Sequence, residues 1–164
     1  MSWRDLITGI YESRPQQPGI AGKAEFYPGA SAATIADAEA VLNAALPASL
    51  RSLLLESNGV MDMMAIDEGD WFESMWLFWK IEEVVEQNRQ YRAASEEEKY
   101  ERDFSSLVFF ADAGADGIRF AFRVEDGVCA PWIVVWHPIM DELDELAPSL
   151  EAFLRGWLTS TISV

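Results

Sequence analysis

Along much of this chain apolar residues recur every three or four positions, and in a later section every second position. Trp3, Leu6, Ile7, Ile10 and Tyr11 fall on one face of a helix, which Pro15, Pro18 and Gly19 stop. A loop follows through Phe26, Tyr27, Pro28 and Gly29. Ile35, Ala38, Leu42 and Ala45 mark a second helix with Ser31 or Thr34 as its cap. Thr34 and Asp37 have capping-box spacing, and Asn43 suits a left-handed helix end. Pro47 fits the first turn of a third helix whose Leu50, Leu53 and Leu54 face inward, and Asn58–Gly59 closes it.

Residues 60 to 73 break this rhythm. Met61, Met63, Met64, Trp71 and Phe72 interleave with Asp62, Asp67, Glu68, Asp70 and Glu73 and with no base, which reads as a loop or irregular strand. Met75 to Trp79 is a short strand by its aromatic content. Ile81, Val84, Val85, Asn88 and Tyr91 predict a fourth helix to about Arg92, and Ser95 to Lys99 a charged connector, a solvated helix end or loop. Leu107 to Phe110 opens a β-rich section, followed by turn residues from Asp112 to Gly117. Ile118, Phe120, Phe122 and Val124 alternate with Arg119, Ala121 and Arg123, the pattern of a strand with one buried face. After Glu125–Asp126–Gly127, Trp132 to Trp136 is apolar on both faces and therefore central. Ser149 caps a final helix with Leu150, Phe153, Leu154, Trp157 and Leu158 inward. Helices at both ends and strands between them predict an α+β fold: one domain over residues 1–164, a largely antiparallel sheet with helices packed on it.

Composition agrees with a globular chain, since 50% of its 164 residues are hydrophobic and 24% charged. Cys129, the single cysteine, has no intrachain partner for a disulfide and reads as a small turn or strand-edge residue. With no leader-like or membrane-length apolar run, the expected location is the cytoplasm. Charge changes the picture more. The net charge is −16, and residues 1–60 hold six acids and four bases while the remainder holds 22 acids and eight bases. Such a field repels nucleic acid and any anionic surface, and attracts a basic protein.

Candidate chemistry is sparse. Asp112, Asp116 and Gly117 match positions one, five and six of a calcium loop, but Gly114 and Arg123 stand where further oxygen ligands belong, so a turn is expected. His137 follows the central strand without a Ser or Cys in a nucleophile setting, and no phosphate-binding glycine pattern is present. No catalytic, cofactor-binding or metal-ligating residue is therefore assigned. Glu82, Glu83 and Glu86, and the run Asp141, Glu142, Asp144 and Glu145, read as solvated faces. Trp132, Trp136 and Trp157 sit at core-facing positions and fill the sheet–helix interface. Trp71 and the methionines near it fit no period; they either fold onto the core or form a partner-binding patch.

The order of elements resembles the SUKH superfamily of small α+β domains, which includes fungal cell-wall-assembly regulators and many bacterial immunity proteins. The resemblance is carried by Ile35 and Glu39, Leu46–Pro47, Leu50, Leu53, Leu54 and Asn58–Gly59. It continues through Leu107–Val108–Phe109–Phe110 before the acidic glycine loop and Ser149–Leu150–Glu151–Ala152–Phe153–Leu154, and covers about residues 26 to 158. Asn43 stands where the family often has Gly, Ala115 interrupts its glycine run and Leu150 replaces an aromatic residue. The resemblance implies a non-enzymatic protein-binding domain, most often an immunity protein that blocks a cognate toxin, frequently a nuclease. The alternative is a cytoplasmic regulatory scaffold, as in the fungal relatives. Together with the charge split, it leads to Met63, Asp67, Glu68, Asp70, Trp71, Asp112 and Asp116 as the expected surface for a basic toxin domain.

Overall fold

Two antiparallel sheets carry the fold in a computed structural model that describes residues 1–97 and 100–164. Glu98 and Lys99, the end of the charged connector, lie outside the described residues. The elements are α1 (Trp3–Ser13), β1 (Ile20–Phe26), α2 (Ala32–Leu42), α3 (Ala48–Glu56), β2 (Val60–Ile66), β3 (Phe72–Phe78) and α4 (Ile81–Glu96). A 3-10 turn at Phe104–Ser106 leads into β4 (Leu107–Asp112), β5 (Arg119–Glu125), β6 (Val128–His137), β7 (Glu142–Ala147) and α5 (Leu150–Leu158). One sheet runs β1-β2-β3, the other β4-β5-β6-β7, which is the expected α+β architecture.

Local chemistry sets the helix ends. Ser2 and Asp5 form a reciprocal capping box on α1, Ser149 accepts from the Ala152 amide on α5, and Ser31 accepts from Thr34 N–H at 3.0 Å. Ser31 is thus the cap of α2, and the Thr34–Asp37 spacing is incidental. Asn43 ends α2 in the left-handed conformation, at φ 52°. Asn58 does more than close α3: its Oδ1 accepts from the Ile81 amide at 2.8 Å and so caps α4, twenty-three residues on.

Four sequence expectations change. The stretch read as a loop before Gly29 contains β1, because its small and charged residues alternate against β2 from Ile20–Ile66 to Phe26–Val60. The stretch from 60 onward, read as a loop or irregular strand, is the seven-residue strand β2: its burial alternates from Met61 to Ala65 and the bulges lie on β3, but an apolar Met64 on the less buried side hides the alternation in the sequence. Cys129 lies inside β6 and is buried, its amide donating to the Ala45 carbonyl at 2.9 Å. The acidic run keeps Glu142, Asp144 and Glu145 exposed as expected, but it forms a strand, β7, paired with β6 from Ile133–Ala147 to His137–Glu142.

A fifth change concerns β5. Its second face is not solvated: Ala121 is fully buried and Arg119 half-buried. Helices cover both sides of the four-stranded sheet. On one side Tyr91 of α4 and Phe104 pack on Phe109 and Trp136. On the other, Phe153 and Trp157 of α5 pack on Phe110 and Phe120. Trp136 is fully buried, while Trp132 and Trp157 are partly buried against the core. A sheet clad on both faces needs apolar runs rather than alternation, as β4 and β6 show.

Candidate functional site

The turns that join these strands meet at one end of the molecule. β3 lies antiparallel beside β4, since the Trp79 amide donates to the Phe110 carbonyl at 2.9 Å and Gly114 comes against the Met75 side chain. The β2–β3 turn, the β4–β5 loop and the β6–β7 turn therefore project from the same edge, and Gly117 of the second lies close enough to Pro138 of the third that an added Cβ would come within 3.1 Å of its ring. Gly19, ahead of β1, joins them through its carbonyl, which accepts from the Asp67 amide at 2.8 Å.

Six of the seven residues expected to face a partner lie in or beside these turns. Asp67 and Glu68 both adopt positive φ, at 48° and 59°, in a tight turn, and with Asp70 they are exposed. Trp71 and Phe72 follow, 42% and 44% exposed. The Lys23 ammonium lies 4.2 Å from the centre of the Trp71 ring, so the indole is positioned by a cation while much of its surface meets water. Asp116 is exposed at φ 53° in the second loop.

Two of the seven are committed within the fold. Asp112 is half-buried; it accepts from the Trp79 indole at 3.1 Å and from the Gly114 amide at 2.8 Å, which shapes the loop. Met63, the seventh residue, points to the face of the three-stranded sheet away from the main core and is buried there with Met61 and Ala65. It sits opposite Lys23 and Glu73 in the strand register, beneath the Lys23–Trp71 pair. Met63 supports the surface.

Sequence reasoning missed two further exposed side chains. Ile139 and Met140, in the β6–β7 turn, are 83% and 70% exposed. Both lie in a stretch with no helical or strand period, and the available signal was two apolar residues between Pro138 and Asp141 in a segment otherwise acidic.

Behind this rim runs a groove lined by Arg14, Asp62, Met75, Asp116, Trp157 and Ile162. Tyr11 Oη donates to Asp62 Oδ1 at 2.5 Å, and the Arg14 guanidinium stacks over the Tyr11 ring at 4.0 Å. Burial, followed by the hydrogen bond to Asp62, drives the Tyr11 phenol well above its usual range, so it stays a donor. Burial likewise pushes the Cys129 thiol up to about 12, which suppresses the thiolate that nucleophilic chemistry requires. Among the described residues no group of three or more His, Cys, Asp or Glu is placed to hold a metal ion, and no helix is long and apolar enough to cross a membrane.

The architecture is that of a small α+β domain with helices on both faces of its larger sheet and its acidic turns gathered at one end. The model of the SMI1 / KNR4 family (SUKH-1) matches residues 29–156, most of the chain, and the protein belongs to that family. The matched region begins after β1 and contains all three turns of the rim. Among curated proteins, none matches the chain.

Proposed function

We propose that this protein is an immunity protein that acts in the cytoplasm, binding a basic toxin domain through its rim of turns and blocking it without catalysis. Membership of the SUKH-1 family supports a binding role. The observation that carries the reading is the β2–β3 turn, where Trp71 and Phe72 stand exposed directly after Asp67, Glu68 and Asp70. Acids around apolar anchors divide the work of recognition: the negative field raises the encounter rate, and desolvated aromatic rings slow dissociation. The same field disfavours nucleic acid as the direct ligand.

The test is co-expression with candidate basic toxin domains, followed by binding kinetics across a salt series. Wild type protects and its association slows as salt rises. Trp71→Ala raises the dissociation rate about 10- to 100-fold, an anchor's contribution, and Asp67→Lys slows association. Full protection by both variants would remove the β2–β3 turn from the interface. A locus with no toxin gene, together with co-purification of several host proteins, would replace the reading with that of a regulatory scaffold.

A further inference from the structure

The β6–β7 turn is braced with unusual thoroughness for a segment whose tip touches little. Asp141 occupies the left-handed region at φ 50°. Its Oδ1 accepts from Arg102 Nε at 2.7 Å and from the Trp136 indole at 2.8 Å, and its carbonyl accepts from Arg102 Nη2 at 2.7 Å. Trp136 is fully buried, so the turn is tied to the aromatic cluster at the centre of the sheet. On that support Ile139 and Met140 extend into solvent, whereas turns are ordinarily built from Gly, Asn, Asp and Ser. A fixed backbone carrying two uncovered apolar side chains is the arrangement that lowers the ordering cost of binding.

We infer that the β6–β7 turn is a second anchor for a basic protein partner, with Ile139 and Met140 entering an apolar pocket on it; this rests on the functional reading above. Charge complementarity selects the partner. Asp116 flanks the tip on one side and Glu142 begins the next strand on the other, both exposed. Between the foot of β3 and this turn lie β4 and β5, so both anchors stand on the same edge of the molecule. One partner can therefore meet both, through two apolar contacts with the exposed Asp116 between them.

The experiment uses the purified full chain and purified candidate basic toxin domains, with binding kinetics and thermal melts on the same samples. Ile139→Ser with Met140→Ser leaves the melting temperature within a degree or two and raises the dissociation rate at least tenfold. Asp141→Asn, which keeps the tip and loosens its support, gives a smaller rise. Met140 is protected from peroxide oxidation in the complex. An unchanged dissociation rate in the double variant, with Trp71→Ala still weakening binding, would overturn the second anchor and leave the functional reading standing. A marked fall in melting temperature for the double variant would assign the two side chains to the fold and also overturn the proposal. No binding by wild type sinks the functional reading and this anchor with it.

Discussion

The carboxamide of Asn88 closes both backbone groups of Phe109: Oδ1 accepts from the Phe109 amide at 2.9 Å, and Nδ2 donates to its carbonyl at 2.8 Å. Nδ2 also donates to the Val84 carbonyl at 2.7 Å, and the side chain is buried. β4 is the outer strand of its sheet, and here a helix side chain supplies the pairing that a further strand would otherwise provide. One residue on, the Phe110 carbonyl accepts from Trp79, so β4 is sealed where the two sheets meet.

Replacing Asn88 by Ala leaves the Phe109 amide and carbonyl buried without partners. The expected loss is about 2–4 kcal/mol, read as a lower midpoint in urea unfolding with an unchanged slope. Asn88→Asp keeps the acceptor and loses the donor, and it buries a charge, so it is no milder. A loss below about 0.5 kcal/mol for Ala would show that water replaces the carboxamide.

A second prediction contrasts two glycines. A Cβ on Gly29 would overlap the Leu55 backbone carbonyl, where the segment after β1 crosses the end of α3. Backbone has nowhere to go, so Gly29→Ala costs roughly 2–3 kcal/mol. A Cβ on Gly22 would overlap the end of the Arg14 guanidinium, which swings away, and meet the Tyr11 ring at ordinary contact distance. Gly22→Ala therefore costs less than about 1 kcal/mol, mostly from the lost stacking on Tyr11. Thermal melts of the two variants decide the order, and equal losses would refute it.

The third concerns acid. Hydrogen bonds from Arg102 and then from Trp136 hold the Asp141 carboxyl below its ordinary value of 3.8. A depressed carboxylate contributes stability that is complete above its unfolded value and is lost as pH falls through the native one. Wild type should exceed Asp141→Asn by a constant margin at neutral pH, and the margin should shrink below about pH 4. Its size is about 0.5–1 kcal/mol, because the carboxylate is more than a third exposed and solvent screens it. Asn tolerates the left-handed backbone there, so the comparison isolates the charge. A margin independent of pH down to about 2 would contradict the assignment.

Helices, caps and the order of elements follow from local pattern. The stripes of α1, α3 and α5, the left-handed Asn43 and the Ser149 cap involve residues three or four apart, and nothing distant competes with them. The exposed aromatic and acids between Asp67 and Trp71 were legible for the same reason, as a stretch that fits no period. β1 and β7 were not legible, because small or acidic residues become strands only when a neighbour supplies the ladder.

Only the tertiary structure decided which turns share an edge. Asp67 and Asp116 are 49 residues apart in the chain, and Ile139 lies further on; the antiparallel alignment of β3 with β4 and the close approach of Gly117 to Pro138 gather them. It also separated Asp112 and Met63, which serve the fold, from Trp71 and Asp116, which face water. Sequence by itself determined the class of fold, the family and the sign of the charge, since these depend on composition and short spacing. The position of that charge, and the apolar groups it surrounds, depend on how distant strands pair.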